Sequence, residues 1–145
     1  MHLTRFTDYS LRVLLYLALR PTQRSSIDEL TQFYSISKDH LVKVVHNLGR
    51  LGYIQTIRGR NGGVELAKPP GAINIGDVVR KTEPNFDLVE CFEPQKNQCV
   101  VTDACQLKFI LAEALESFLN VLDQYTLESL VTEKKLAKML LQIGD

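Results

Sequence analysis

The residues with the clearest capacity for chemistry are three cysteines, Cys91, Cys99 and Cys105, which lie within one short stretch of the sequence. Seven residues separate the first pair and five the second, so the stretch lacks the Cys-x-x-Cys pairs that zinc fingers and ribbons prefer. Irregular loops with wider spacing suit an iron–sulfur cluster, whose iron atoms take thiolate ligands. A zinc site, a thiol redox switch and simple packing remain alternatives to a cluster.

The number of cysteines and the sequence of the first residues indicate whether the thiols form structural disulfides. An odd count leaves one thiol unpaired, and structural disulfides are rare in reducing compartments. Residues 1–6 lack the order of a signal peptide, and no run approaches the ~18 apolar residues of a membrane span. We therefore expect a cytoplasmic protein outside the membrane, with thiols available for a metal or for redox chemistry. Three thiolate ligands would leave one coordination position for another residue.

The sequence lacks the features of common enzyme sites. It has no glycine-rich phosphate loop and no set of Ser, His and Asp that suggests nucleophilic catalysis. It also has no carboxylate pair in a cleft-forming context, and its three histidines all lie in the first half of the chain. The sequence therefore predicts a protein that is not an enzyme.

Charge is segregated along the chain, although the formal net charge is zero. Residues 1–81 hold twelve Lys and Arg against six Asp and Glu, a net charge of +6. Residues 82–145 hold five against eleven, a net charge of −6. Two differently solvated faces would explain this division, but a basic end also suits a polyanion such as DNA.

The periodicity of the basic half predicts a winged helix-turn-helix domain over residues 1–68. Apolar residues at helical spacing indicate one helix at about 7–20 and another from Ser37 to about Gly49. Ser26 and Glu29 form a capping box, which predicts a short helix between those two helices. Runs of strand formers at 53–57 and 64–66 flank an Asn-Gly turn, which predicts a hairpin. The expected fold class is therefore mainly α with one two-stranded wing.

A helix that enters the major groove points the residues of its first turns at base edges and phosphates. On the third predicted helix these candidates are Ser37, Lys38, His40, Lys43 and Asn47. Arginines at a wing tip can follow the DNA backbone or enter the minor groove, and the wing candidates are Arg58, Arg60, Asn61 and Gly62. A charged helix surface alone is commonly just solvated, but helix and wing together favour binding to double-stranded DNA.

The acidic half predicts a connecting region and one long helix. Residues 69–101 hold a Pro-Pro-Gly linker, a short helix at about 75–82 and an irregular cysteine loop. Residues 102–145 hold a long helix, capped by Thr102 and reaching about residue 125, and a weakly helical tail. Apolar residues on this helix alternate steps of three and four, as in a coiled-coil dimer, at Leu107, Leu111, Ala114, Phe118, Val121 and Tyr125. A core helix within one chain is the alternative, but a twofold dimer would present two recognition helices to a palindromic operator.

Several segments together resemble the family of iron–sulfur winged-helix repressors. They are residues 3–12, the wing at 58–63 and the late cysteine triplet, with further similarity at 68–69, 75–80 and 117–119. The resemblance covers nearly the whole chain and is strongest to the nitric-oxide-sensing branch. It implies a homodimer with one cluster per subunit, of the 4Fe–4S or 2Fe–2S type. It also implies a repressor that leaves its operator when nitric oxide destroys the cluster.

The resemblance also bears on the fourth ligand of the cluster. Some members of the family carry a histidine three residues after the last cysteine, where this chain has Lys108, which cannot ligate iron while protonated. In the nitric-oxide-sensing branch an aspartate near the N-terminus of the partner subunit is the ligand, and Asp8 matches it. The residues alone also allow Asp8 to act only as a charge that stabilises the start of the first helix. A cluster-assembly or thiol-redox regulator of the same family is the alternative function.

Overall fold

The computed structural model describes residues 2–132, 136, 138 and 139. Along the chain, six α-helices and one two-stranded sheet occur in these residues: α1 (Arg5–Ala18), α2 (Ile27–Tyr34), α3 (Lys38–Arg50), β1 (Ile54–Ile57), β2 (Gly63–Leu66), α4 (Ile75–Thr82), α5 (Gln106–Asp123) and α6 (Leu127–Val131). Single 3-10 turns lie at Pro70–Ala72, Glu90–Phe92 and Thr102–Ala104. The mainly helical fold class and the winged helix-turn-helix order are confirmed.

Side chains satisfy free backbone N–H groups at the start of the first two helices but not of the third. Thr4 precedes α1 and accepts a hydrogen bond from the Thr7 backbone N–H. The capping box predicted from the sequence is present at α2, where Ser26 and Glu29 bond to each other's backbone. Ser37 occupies the N-cap position of α3 but makes no capping bond with its side chain.

The wing is an antiparallel hairpin that is also joined to the loop before α2. Ile54 pairs with Leu66 at its base and Ile57 with Gly63 near its tip. Ser25 forms a bridge with Val64, which adds a third extended segment beside β2. Gly63 has a φ of 149°, and a Cβ there would lie 3.0 Å from the Ser25 carbonyl oxygen. Glycine therefore lets the loop before α2 and the wing approach closely.

The hydrophobic core surrounds α1, which packs against α3, α4, α6 and β2. One cluster of buried side chains includes Val13 and Leu17 of α1, Leu48 of α3, Val78 of α4 and Leu127 of α6. The predicted boundary at residue 68 therefore does not coincide with a gap in this packing. We retain the division at 68 as a proposal about the roles of the segments.

The long helix α5 begins later than the sequence predicts. The Thr102 hydroxyl donates to the Cys99 carbonyl at 2.8 Å, and Cys105 is the N-cap residue of α5. The prediction that Thr102 caps the helix was wrong, because its hydroxyl closes a turn in the cysteine loop instead. Of the tail predicted to be weakly helical, residues 133–135, 137 and 140–145 lie outside the described residues.

Candidate nucleic-acid interface and cysteine segment

The recognition helix α3 has one buried and one solvent-facing side. Four apolar residues one turn apart pack into the core: Leu41, Val44, Val45 and Leu48. Among the predicted DNA contacts, Asn47 is half-buried and four are exposed: Ser37, Lys38, His40 and Lys43. The structure therefore places all five of these side chains where a major groove could reach them.

Contacts at the start of α3 hold several of these side chains in place. The Ser37 hydroxyl lies 2.8 Å from His40 Nδ1, and the His40 ring centroid lies 6.0 Å from that of Tyr9. Lys38 forms an exposed ion pair with Asp28 of α2, with 2.7 Å between Nζ and Oδ1. Such exposed pairs contribute little to the free energy of folding, so the lysine can exchange its partner for a phosphate.

The wing tip is exposed, and Arg24 contacts the hairpin at Asn61 of the tip and at Glu65 of β2. Arg58, Arg60 and Asn61 are exposed, and Gly62 is half-buried. Within residues 2–132, neither wing-tip guanidinium forms an ion pair. Arg24 donates to the Asn61 carbonyl at 3.0 Å and to the Glu65 carboxylate at 2.9 Å. The wing therefore presents two cations that form no ion pair with the described residues, from a hairpin that Arg24 contacts.

The three cysteines lie on the irregular segment between α4 and α5, which we call the cysteine segment (residues 84–105). All three are free and half-buried. Asn97 and Thr102 order the turn at Cys99, because the Cys99 N–H donates to Asn97 Oδ1 at 3.0 Å and Asn97 Nδ2 donates to Thr102 Oγ1 at 2.9 Å. Cys91 lies in a single 3-10 turn and Cys105 at the N-terminus of α5.

Cys91 faces the first turns of α5. It lines an open cleft of about 380 Å³ together with Phe92, Lys108 and Leu115. In the part of the chain that the structure describes, no three His, Cys, Asp or Glu side chains are close enough to hold a metal ion. The structure therefore does not bring the predicted ligands together. Their chemistry nevertheless fits an iron–sulfur cluster, because three free, partly accessible thiols are the ligands such a cluster takes.

Asp8 lies in the first turns of α1 and pairs with Arg12 one turn further on. The carboxylate accepts from Arg12 Nε at 3.0 Å and contacts its Nη2 at 2.8 Å. The hydrogen bond to Asp8 raises the pKa of Arg12 above its ordinary value. The Asp8 side chain is 42% exposed, so it can be reached from outside its own chain.

Helix α5 exposes apolar side chains, and none of its residues is buried. Among the predicted interface residues, Leu111 and Phe118 are half-buried, and the others are exposed: Leu107, Ala114, Val121 and Tyr125. Phe109 and Ile110, which the periodicity did not single out, are 61% and 60% exposed. Helix α5 therefore presents more apolar surface than the predicted stripe.

Comparison with known proteins identifies the chain. Residues 3–133 match the Rrf2 family, which is described as "Iron-dependent Transcriptional regulator". The chain belongs to the Rrf2 family. This Rrf2 chain is 54% identical to the HTH-type transcriptional regulator NsrR of Bacillus subtilis, over 100% of both chains. It is also 54% identical to the regulator of the same name from Shouchella clausii, over 98% of this chain and 96% of that one.

A solved structure of CymR, the global cysteine regulator of B. subtilis, superposes on this Rrf2 chain with a TM-score of 0.70. The two are 27% identical, and the superposition covers 91% of this chain and 97% of that one. This Rrf2 chain is therefore a DNA-binding transcription regulator and not an enzyme. Among the described residues, no helix is long and apolar enough to cross a membrane.

Two residues of the candidate DNA interface were missed by reasoning from the sequence. Val42 lies on α3 outside the buried stripe and is 45% exposed. The sequence does offer a signal for Val42, because it is an apolar residue that does not share the helical spacing of Leu41 and Val45. Arg24 supports the wing through Asn61, which lies 37 residues away, so no local pattern could have revealed it.

Proposed function

We propose that this chain is an iron–sulfur-dependent repressor. In this proposal it binds palindromic operator DNA as a homodimer and is released when nitric oxide destroys the cluster. One observation carries the proposal: three free thiols occupy the segment that joins the DNA-binding half of the chain to the apolar helix α5. A change in that segment can alter the position of one half relative to the other.

The DNA-binding part of the proposal rests on α3 and the wing. Lys38 and Lys43 suit phosphates, whereas His40 and Asn47 suit base edges. Val42, one helical turn after Lys38, adds an exposed apolar side chain, which suits contact with a thymine methyl group. Arg58 and Arg60 at the wing tip supply cations to the flanking backbone or minor groove.

The dimer part of the proposal rests on the exposed face of α5. The helix has 18 residues and is therefore about 27 Å long. Its apolar stripe would remain in water in a single chain, and covering it with a second copy would remove that surface from solvent. A twofold axis through α5 places two recognition helices symmetrically, which matches a palindromic operator.

Cys91, Cys99 and Cys105 would hold the cluster, with Asp8 of the partner subunit as the fourth ligand. When bound, the cluster supplies iron that reacts with nitric oxide. Asp8 must exchange its pairing with Arg12 for that role, and exposed pairs of this kind stabilise a protein by less than about 1 kcal/mol. The nitric-oxide signal is supported by the resemblance of the sequence to the nitric-oxide-sensing branch of the family.

Nitric oxide titration of anaerobically purified protein tests the proposed function. We expect visible absorption from a cluster and tight binding to an operator selected from random duplex DNA. Nitric oxide should bleach the absorption and lower operator affinity at least ~10³-fold, towards the non-specific level. An exhausted nitric oxide donor serves as the control. Unchanged operator affinity after bleaching would show that the cluster does not control DNA binding.

A metal-free thiol switch is the second candidate, because all three cysteines are free and half-buried. It predicts a colourless protein whose thiols titrate fully and whose DNA affinity responds to a disulfide-forming oxidant. A cluster-assembly regulator would bind a cluster and lose DNA affinity when iron is removed, but would respond weakly to nitric oxide. The absorption spectrum and the two reagents therefore separate the three functions.

Wing substitutions should change the salt dependence of DNA binding. Removing one cation from a phosphate should reduce the slope of log affinity against log salt by about 0.9. Because a homodimer carries each arginine twice, we expect Arg58→Ala and Arg60→Ala each to weaken binding and to reduce this slope by about 1.8. Fluorescence anisotropy over a series of salt concentrations measures both quantities.

The charge-conserving variants Arg58→Lys and Arg60→Lys are the matched controls and should keep most of the slope. If both alanine variants bind the operator with the wild-type affinity and slope, the wing does not contact DNA.

A further inference from the structure

Tyr53 lies at the point where the recognition helix passes into the wing. Its backbone N–H donates to the Leu48 carbonyl of α3 at 3.0 Å, and its carbonyl accepts from the Ala67 N–H at 2.9 Å. Its side chain is almost completely buried, with 1% of the residue exposed. The position of Tyr53 is therefore fixed to the C-terminal end of α3 and to the base of the wing.

The Tyr53 hydroxyl reaches α4. It donates to Asp77 Oδ2 at 2.5 Å, and Lys81 Nζ donates to the same oxygen at 2.9 Å. Lys68 Nζ lies 4.9 Å from the centroid of the tyrosine ring. Burial and the hydrogen bond to Asp77 both raise the pKa of Tyr53, so the hydroxyl remains a donor. Burial opposes ionisation of Asp77, but the hydrogen bonds from Tyr53 and Lys81 lower its pKa overall.

Helix α4 is also bound to the C-terminal end of α5. The Arg80 guanidinium pairs with both carboxylate oxygens of Asp123, with Nη2 at 2.7 Å from Oδ2. Asn74 Nδ2 donates to the Asp123 carbonyl at 2.7 Å. A Cβ at Gly76 would collide with the Asp123 side chain, so the two helices are in close contact there. Movement of α5 must therefore move α4 or break these contacts.

The C-terminal end of α4 is bound to α1. Glu83 Oε1 accepts from the Thr4 N–H at 2.7 Å and from its hydroxyl at 3.0 Å. The cysteine segment begins at the next residue, Pro84. Helix α4 thus contacts α5 along one side and leads directly into the cysteine segment at its end.

We propose that Tyr53 and Asp77 are positioning residues that link α4 to the recognition helix. Through this pair, a change in the cysteine segment or in α5 alters the position of α3 and the wing. The pair is suited to this role because it joins Tyr53, directly after α3, to α4. The Tyr53 ring belongs to the packed core, which resists deformation, and the Asp77 carboxylate is 45% exposed. Loss of the cluster as the trigger rests on the proposed function, whereas the link from α4 to α3 through Tyr53 and Asp77 does not.

Tyr53→Phe tests the link because it keeps the buried ring and removes only the donor. The quantity measured is the ratio of operator affinities of cluster-loaded protein and protein treated with nitric oxide. A link should reduce this ratio at least ~5-fold, since allosteric coupling between sites typically spans 5–150-fold. Visible absorption and iron content should stay at the wild-type values. A purely structural tyrosine would instead lower both affinities equally and leave the ratio unchanged.

Tyr34→Phe is the matched control. Tyr34 is half-buried, and its hydroxyl donates to the Arg12 carbonyl of α1 at 2.9 Å rather than to α4. This variant should keep the wild-type ratio. In addition, Asp77→Ala should reduce the ratio as Tyr53→Phe does, and the double variant should add little to either single change.

Hydrogen exchange of the cluster-free protein gives a second readout that requires no cluster. Tyr53→Phe should speed exchange in the last turn of α3 and in α4, whereas Tyr34→Phe should leave both at the wild-type rate. A wild-type affinity ratio in Tyr53→Phe, or wild-type exchange in α3, would overturn the proposed link. If wild-type operator affinity does not depend on the cluster, the proposed function fails, and the exchange measurement alone decides on the link.

Discussion

Replacing Cys99 by alanine is expected to remove the cluster and, with it, specific operator binding. Cys99 is the middle one of the three cysteines and lies in a turn ordered by Asn97 and Thr102, so its loss removes one of the three proposed thiolate ligands. Specific DNA affinity typically exceeds non-specific affinity by ~10³-fold or more, and we expect the variant to fall to the non-specific level. Visible absorption, iron analysis and anisotropy with selected operator DNA measure the effect.

The neighbouring variant Gln98→Ala is the matched control, because Gln98 is exposed in the same segment and carries no thiol. Circular dichroism should show the same helix content in both proteins. Alanine at Cys91 or Cys105 should have the effect of alanine at Cys99. A Cys99→Ala protein that still binds the operator tightly would rule out the cluster as the element that enables DNA binding.

Substitution of Asp8, the proposed fourth ligand, should give a milder result. Asp8→Ala leaves three thiolates, so a cluster should form with a shifted absorption spectrum and be lost faster. Arg12→Ala breaks the same ion pair but keeps the carboxylate, and it should therefore retain the wild-type spectrum. Equal spectra in the Asp8→Ala and wild-type proteins would leave Asp8 as a charge at the start of α1.

The second large effect is expected from Leu107→Asp, which should convert the dimer into a monomer. Leu107 is 59% exposed on the first turn of α5, within the stripe proposed to meet a second copy. A twofold interface would bury the new carboxylate from both subunits, and each buried unpaired charge costs several kcal/mol. Because the two half-sites then bind separately, operator affinity should fall by ~10²–10⁴-fold. Sedimentation analysis and anisotropy with the full palindrome measure the two effects.

Asn120→Asp adds the same charge to an exposed position on the other side of α5 and is the matched control. It should remain a dimer with the wild-type operator affinity. A dimeric Leu107→Asp protein would show that α5 is not the interface through which two copies associate.

Local patterns in the sequence were sufficient to predict most of the DNA-binding half. The capping box at Ser26, the apolar stripe of α3 and the Asn-Gly hairpin each depend on neighbours in the chain, and the structure contains all three elements. The Asn74 side chain likewise caps α4 by accepting from the Asp77 N–H, another contact between near neighbours in the chain. Helix periodicity and turn chemistry act over a few residues, so they can be read from the sequence without knowledge of the tertiary fold.

Thr102 shows where a local pattern misleads. A threonine before an apolar helical stripe is a normal capping signal, but its hydroxyl bonds to Cys99 and Asn97 within the cysteine segment. The helix consequently begins at Gln106. Two uses of one hydroxyl compete there, and the sequence does not show which has the lower free energy.

The sequence by itself determined the types of residue available: basic side chains on α3 and the wing, three clustered thiols, and an apolar stripe on α5. Only the tertiary structure decided how these parts are joined. Tyr53 meets Asp77 across 24 residues, and Arg80 meets Asp123 across 43. Such contacts depend on how helices pack around α1, and packing is set by the complementarity of whole surfaces that are distant in the sequence.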